Sequence, residues 1–134
     1  MGSRPVVLFV CVHNAGRSQM AAAFARLLGG ERVEVRSAGS APGDRVHPGV
    51  VEAMGEVGVD LAAERPRALA PGDARGADVV VTMGCGDACP VSPGSRREDW
   101  AVPDPAGKPL EAVRPIRDEI RSRVEDLIAR LVAG

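Results

Sequence analysis

A short apolar run that ends in a cysteine constrains the fold of this chain more than any other feature. Residues 6–10 read VVLFV, and Cys11 follows directly. An unbroken apolar run of this length is typical of a strand buried on both faces of a parallel sheet. After a turn-like segment, the sequence QMAAAFARLL from Ser18 onward favours a helix that stops at Gly29 and Gly30. The run therefore predicts a buried strand that leads through a short loop into a helix.

The rest of the chain continues this alternation of strands and helices. Residues 33–36 alternate like a second strand, residues 47–57 suit a helix, and residues 78–83 read as another buried strand. Residues 84–109 are rich in Gly and Pro, which predicts a loop with a short strand near Trp100. A last helix is indicated by apolar residues at steps of three and four, namely Val113, Ile116, Ile120, Val124, Leu127, Ile128 and Leu131. The pattern predicts an α/β domain whose parallel sheet is covered on both faces.

The composition is that of one globular domain. The chain has 134 residues, 45% hydrophobic and 26% charged, and we assign residues 1–134 to a single domain. A net charge of −1 and 2% aromatic residues disfavour a nucleic-acid surface, and no apolar run approaches the ~20 residues that cross a membrane. With no export signal visible, we expect a cytoplasmic monomer whose three cysteines serve chemistry rather than structure.

The loop after the first strand predicts an anion site with a nucleophile at its floor. Residues 11–18 read CVHNAGRS, and consecutive N–H groups of such a loop can surround an oxyanion at the positive end of the next helix. Arg17 offers a planar guanidinium that matches two oxygens of a tetrahedral anion, and Ser18 can donate its hydroxyl hydrogen to a Cys11 thiolate. The expected substrate-binding groups are those of Val12, His13, Asn14, Ala15, Gly16 and Arg17. The alternative is a buried structural cysteine with a surface arginine nearby.

Three further residues indicate how a reaction at Cys11 could proceed. Asp104 stands before a proline and could protonate a departing oxygen, although Asp-Pro is also a common turn. Cys85 and Cys89 fit a redox relay, in which one thiol attacks an adduct on Cys11 and the other carries the resulting disulfide outward. The competing interpretation is a zinc site formed by these two cysteines and both histidines. Because that spacing fits no standard zinc motif, we expect no metal.

Five segments spread over nearly the whole chain carry a family resemblance. They are VLFVCVHNAGRSQMA, RSAGS, HPGVVEAM, VVTMGCGDACP and EDWAVPDPAGKPLE. With these segments the chain resembles the thioredoxin-coupled arsenate reductases of the low-molecular-weight tyrosine phosphatase fold. The resemblance implies a three-layer α/β/α fold, in which helices flank a four-stranded parallel sheet, and an enzyme that holds no bound cofactor.

The resemblance also implies a role for each reactive residue. Cys11 attacks arsenate, which phosphate or sulfate can mimic, and Asp104 protonates the hydroxide that leaves. Cys85 then attacks Cys11 and releases arsenite. Finally, Cys89 attacks Cys85, and thioredoxin reduces the disulfide that these two residues form.

The back of the anion loop departs from the family in its charge. Asn14 and Ser37 resemble the pair that braces this loop. Some members also hold a potassium ion there through acidic side chains, but Ala22 and Arg67 stand where those side chains are expected. We therefore expect no alkali cation in this chain, and a guanidinium that braces the loop instead.

Three other functions are weighed against arsenate reduction. A phosphatase of the same fold is disfavoured because Ala-Gly-Lys follows the Asp-Pro pair, where such phosphatases usually place aromatic residues. A mycothiol-coupled reductase can manage with one protein thiol, so Cys85 and Cys89 favour thioredoxin. An oxyanion sensor would not need the acid Asp104. Only three residues separate Cys85 from Cys89, against six in better-known members, and this leaves the path of the relay open.

Overall fold

The described residues of the chain, 4–84 and 95–133 of a computed structural model, form one parallel sheet with helices packed on it. The strands are β1 (Val6–Cys11), β2 (Glu34–Gly39), β3 (Val79–Met83) and β4 (Arg96–Asp99), in the order β2-β1-β3-β4. The helices are α1 (Arg17–Gly29), α2 (Pro48–Gly55) and α3 (Leu110–Ala133), with a single 3-10 turn at Gly30–Arg32. The predicted fold class, a four-stranded parallel sheet flanked by helices, is confirmed.

The first strand lies inside the sheet because its residues are apolar on both faces. β1 pairs in parallel with β2 and with β3, and the register places Cys11 beside Gly39 on one side and Met83 on the other. Three strands therefore end at the same edge of the sheet, and the loop that follows Cys11 begins there.

The two faces of the sheet are covered differently in the described part of the chain. Val7 and Phe9 face the larger core, which contains the buried stripes of all three helices. The Ala-rich sequence of α1 suits this position, because small side chains let the helix approach the sheet closely. Leu8 and Val10 face a smaller cluster that includes Ala74 and Ala77 from the segment before β3. Burial of each large apolar side chain stabilises the fold by about 1.5–3 kcal/mol.

The element boundaries differ from the sequence prediction where turns end the elements. α2 stops at Gly55 instead of residue 57, because the Met54 carbonyl accepts the N–H groups of both Val57 and Val59. The expected strand near Trp100 is β4, an edge strand with a charged sequence. None of the helices in the described part of the chain is both long and apolar enough to cross a membrane.

Candidate active site

Cys11 is held at the end of β1 with a hydroxyl group against its sulfur. The residue is 3% exposed, and its Sγ lies 2.9 Å from the Oγ of Ser18 at the start of α1. The Nδ2 group of Asn14 donates to the same Oγ at 2.6 Å. Because that bond occupies the oxygen as an acceptor, the Ser18 hydrogen is free to donate to sulfur. This arrangement stabilises a thiolate at Cys11.

The main-chain carbonyl groups of the anion loop are hydrogen-bonded to residues 40–47. The carbonyls of Cys11, Val12, His13 and Ala15 accept hydrogen bonds, at 2.8–3.2 Å, from the N–H groups of Ser40, Ala41, Gly43 and His47. Among the residues that the structure describes, the N–H groups of residues 12–17 have no protein acceptor. These donors are therefore available to an anion, as the sequence predicts.

Asn14 braces the loop from behind. Its φ of 50° is in the left-handed region, which asparagine adopts more readily than most residues. The side chain is fully buried, and its Oδ1 accepts the main-chain N–H of Arg67 at 2.9 Å and the Nε2 of Gln19 at 3.1 Å. Since a main-chain N–H can only donate, the orientation of the Asn14 amide is fixed.

The sequence predicts that Asn14 and Ser37 brace the loop as a pair. Ser37 and Asn14 both border a cavity behind the anion loop, but the hydrogen bonds of the Asn14 side chain go to Ser18, Gln19 and Arg67. Gln19 was missed, and the signal was a polar residue that begins the otherwise apolar stretch QMAAAFA.

Of the two residues at the expected cation position, Ala22 and Arg67, the structure corrects the role of the second. Ala22 is fully buried in α1. Arg67 supports the loop through its main-chain N–H, whereas its guanidinium pairs with Asp73 at 2.8 Å. The expectation that the Arg67 guanidinium braces the loop is therefore wrong, because that group has an acidic partner of its own.

The guanidinium of Arg17 is positioned by contacts with residues of the segment around Asp104. Its Nη1 donates to the carbonyl of Val102 at 3.1 Å, and its Nη2 lies 3.7 Å from Oδ2 of Asp104. Gly84, which has a φ of 85°, lies so close that a Cβ atom there would be 2.9 Å from Nη1. Sequence reasoning missed Gly84 and Val102, because both reach Arg17 only through the folding of distant segments.

Asp104 is exposed but well placed. Its carboxylate accepts the N–H of Ala106 at 3.0 Å, and its side chain is 46% exposed. The next residue, Pro105, is buried against Gly16, where a Cβ atom would be 2.8 Å from the proline ring. The absence of a side chain at residue 16 therefore allows the loop that carries Asp104 and Pro105, called the acid loop below, to pack on the anion loop.

The two cysteines of the expected relay, Cys85 and Cys89, lie outside the described residues. Gly84, which directly precedes Cys85, lies beside the guanidinium of Arg17. Within residues 4–84 and 95–133, no three His, Cys, Asp or Glu side chains are grouped closely enough to hold a metal ion.

The described part of the site can support nucleophilic attack on a tetrahedral oxyanion. The site offers a thiol beside a hydroxyl donor, a ring of free N–H groups, a guanidinium and a carboxyl group that faces the same opening. The hydroxyl donor stabilises the thiolate, and the N–H groups and the guanidinium bind the anion. The carboxyl group can protonate the leaving oxygen.

Comparison with known proteins gives consistent results. A glutaredoxin arsenate reductase from Synechocystis sp. is 39% identical over 128 residues, with 93% of this chain and 97% of the relative covered. The Corynebacterium glutamicum thioredoxin-dependent arsenate reductase has a TM-score of 0.82 and 42% identity, and the match covers 97% of this chain but only 62% of that one. An arsenate reductase solved in a phosphate-binding state has a TM-score of 0.83 and 38% identity, with 95% and 98% covered.

The family assignment rests on sequence and fold together. Residues 6–133 match the model of one protein family, described as low molecular weight phosphotyrosine protein phosphatase. That span contains β1, the anion loop, the acid loop and all three helices. The predicted resemblance is thus confirmed, and the chain belongs to the low molecular weight phosphotyrosine protein phosphatase family.

Proposed function

We propose that this chain is an arsenate reductase. The observation that carries the proposal is the placement of Cys11, Ser18, Arg17 and Asp104 around one loop of free N–H groups. Such a site fits a small tetrahedral oxyanion, and the similar proteins described above are named as arsenate reductases. The exposed residues that follow Pro105 include no aromatic ring to wall a phosphotyrosine, and the chain has no Tyr.

The first step is a substitution at arsenic. The Cys11 thiolate attacks arsenate, an S–As bond forms, and one As–O bond breaks. Asp104 gives its proton to the departing oxygen, which leaves as water. The loop N–H groups and Arg17 stabilise the charge on the remaining oxygens, which is the largest contribution such a site can make. Arsenic is still As(V) in this adduct.

The second step transfers electrons. The Cys85 thiolate attacks the sulfur of Cys11, and the S–As bond breaks with its electron pair on arsenic. Arsenic is thereby reduced by two electrons to arsenite, and the two sulfurs are oxidised to a disulfide. Cys89 next attacks Cys85, which frees the Cys11 thiolate and leaves a Cys85–Cys89 disulfide.

A dithiol protein must then reduce this disulfide, and we propose thioredoxin. The names of the similar proteins divide between thioredoxin and glutaredoxin, so the donor has to be measured directly. Because a thiol relay works in a reducing compartment, we place the protein in the cytoplasm. We further propose that it acts as a monomer without bound cofactor or metal.

The deciding experiment measures NADPH oxidation with arsenate, thioredoxin and thioredoxin reductase. We expect turnover that depends on both arsenate and thioredoxin, and much slower hydrolysis of an aryl phosphate by the same preparation. Parallel assays replace thioredoxin with glutaredoxin plus glutathione, or with mycothiol plus mycoredoxin. Aryl phosphate hydrolysis without arsenate turnover from any donor would contradict the proposal and favour a phosphatase.

A cysteine variant tests the relay separately from the overall reaction. Cys89→Ser should release one arsenite per chain and then stop, with Cys11 and Cys85 joined in a disulfide that mass spectrometry of a nonreduced digest detects. Steady turnover of Cys89→Ser at the wild-type rate with thioredoxin would show that the third thiol is not used.

A further inference from the structure

A second cavity with a positive lining lies behind the anion loop. Its volume is about 240 Å³, and the buried side chains of Asn14 and Gln19 form part of its wall. The charged residues around it are Arg26, Arg36, Arg65, Arg67 and Glu64. The lining of this cavity therefore contains four arginines and one carboxylate.

Two of these arginines are already neutralised by neighbours. Arg36 pairs with Glu34 at 2.8 Å and also donates to two main-chain carbonyls, those of Asp73 and Arg75. Arg67 pairs with Asp73, as described above. Their guanidinium groups have acceptors within the protein and need no external anion.

The other two arginines have no acidic partner in the described part of the chain. Arg26 projects from the last turn of α1 and is exposed. The guanidinium of Arg65 contacts only the main-chain carbonyl of Glu64, at 3.4 Å. The carboxylate of Glu64 offsets one positive charge at most. Two cations therefore border the cavity with little compensation.

We infer that this cavity binds a tetrahedral dianion, sulfate or phosphate, between Arg26 and Arg65. A guanidinium presents paired N–H donors that match two oxygens of such an anion, and two of them on one cavity supply the charge that a dianion needs. The volume is several times the ~30 Å³ that one water molecule occupies in the liquid, so a sulfate fits with some of its water. The inference concerns binding alone and does not depend on arsenate as the substrate.

The site is separate from the catalytic loop, although the two share a wall. Asn14 lines the cavity and is also part of the anion loop, where its Nδ2 donates to Ser18. Arg17, the cation of the catalytic loop, does not line the cavity. The two sites can therefore be disabled one at a time by different substitutions.

Equilibrium dialysis with radiolabelled sulfate at low ionic strength tests this inference by counting bound anions. We expect two sulfates per chain for the wild type and one for Arg26→Gln/Arg65→Gln. Arg17→Ala should also bind one, because only the catalytic loop is weakened, and the triple variant should bind none. Arg121→Gln/Arg123→Gln removes two charges from α3, away from the cavity, and should still bind two.

Several outcomes would overturn the inference. One sulfate on the wild type, lost with Arg17→Ala, would mean that the catalytic loop is the only anion site. Two sulfates on Arg26→Gln/Arg65→Gln would place the second anion elsewhere. Binding of only one sulfate by the α3 control, Arg121→Gln/Arg123→Gln, would mean that the loss of sulfate reflects the net charge of the protein and not the cavity. Competition with unlabelled phosphate then tests which anion the cavity accepts. If phosphate displaces the second sulfate, the cavity binds both anions; if the second sulfate is retained, the cavity is selective for sulfate.

Discussion

The loop that carries the nucleophile and the loop that carries the acid are held in different ways. The anion loop after Cys11 is fixed by main-chain hydrogen bonds to residues 40–47 and by the buried side chain of Asn14. The loop around Asp104 is fixed by the packing of Pro105 on Gly16 and by the contacts of its residues with Arg17.

Because of this difference, the two loops should respond differently to side-chain substitutions. Main-chain bonds persist when side chains change, so the anion loop should keep its shape in most variants. The acid loop depends instead on side-chain packing and on a 3.7 Å ion pair whose carboxylate is exposed, and pairs of this kind contribute about 0–1 kcal/mol. We therefore expect the position of the acid to be more sensitive to side-chain substitutions than the positions of the oxyanion donors.

Replacement of the nucleophile should have the largest effect. Cys11→Ser should abolish arsenate reduction and any hydrolysis of aryl phosphate, because a serine hydroxyl at this position is not ionised and is a poor nucleophile. The variant should bind sulfate with at least wild-type affinity, since the loop N–H groups and Arg17 are unchanged and the negative charge of the thiolate is gone. Calorimetric titration with sulfate checks this point. Turnover above the enzyme-free background would mean that another thiol attacks arsenic.

Loss of the acid should be the next largest effect. Asp104→Ala should lower kcat by roughly 10²–10⁴-fold with little change in sulfate affinity, because a general acid acts on the leaving oxygen and not on the bound anion. Asp60→Ala is a matched control, since Asp60 also accepts the N–H of the residue two positions later, Ala62, in an exposed loop. If both variants lose the same fraction of activity, the effect of Asp104→Ala comes from the turn and not from acid catalysis.

The fold could be predicted where the sequence carries a local pattern. The VVLFV run, the Ala-rich helix and the steps of three and four near the carboxyl end each specify an element without help from distant residues. β4 reads RRED and has no apolar pattern, because an edge strand has few side chains in the core. The segment between Gly58 and β3 has no periodicity, yet it covers one face of the sheet and reaches Asn14.

The same distinction between local and distant residues decides which parts of the active site could be predicted. Cys11, Arg17 and Ser18 are neighbours in sequence, so their chemistry could be inferred from spacing alone. The contacts of Gly84 and Val102 with Arg17 join segments that are far apart in sequence. Such contacts depend on the strand order and on the path of the acid loop, neither of which a local pattern specifies.

A glycine substitution tests how Arg17 is positioned. Gly84→Ala should weaken sulfate binding by roughly 10- to 150-fold, because its Cβ would lie 2.9 Å from Nη1 and would displace a charge-assisted bond of roughly 1.5–3 kcal/mol. Gly58→Ala is the control, since Gly58 has a similar φ of 81° but no atom near its Cβ position. Both variants should lose stability by about 1 kcal/mol from backbone strain. Equal sulfate affinity in the two would show that Arg17 does not depend on residue 84.

The smallest effect should come from a carboxylate that joins the end of α2 to α3, away from the anion loop. α2 starts beside His47, whose N–H bonds to Ala15, and it is followed by Glu56, which pairs with Arg114 at 2.6 Å and Arg117 at 2.9 Å on α3. The hydrogen bond from Arg114, with that from Arg117, lowers the pKa of Glu56 from 4.5 to about 2. A lowered pKa means that the carboxylate favours the folded state above pH 4.5 and that this contribution is lost as the pH falls toward 2.

Thermal unfolding of Glu56→Gln across this acid range checks the expectation. The wild type should be the more stable protein near neutral pH, by a few degrees in Tm, and the difference should shrink as the solution is acidified toward pH 2. Glu125→Gln, which removes an exposed pair on α3, should follow the wild-type curve. Sulfate affinity at neutral pH should be the same in all three proteins, because the carbonyls of the anion loop keep their own bonds to residues 40–47. A weaker sulfate affinity in Glu56→Gln would show that the nucleophile loop depends on side-chain packing as the acid loop does, and the contrast between the two loops would fail.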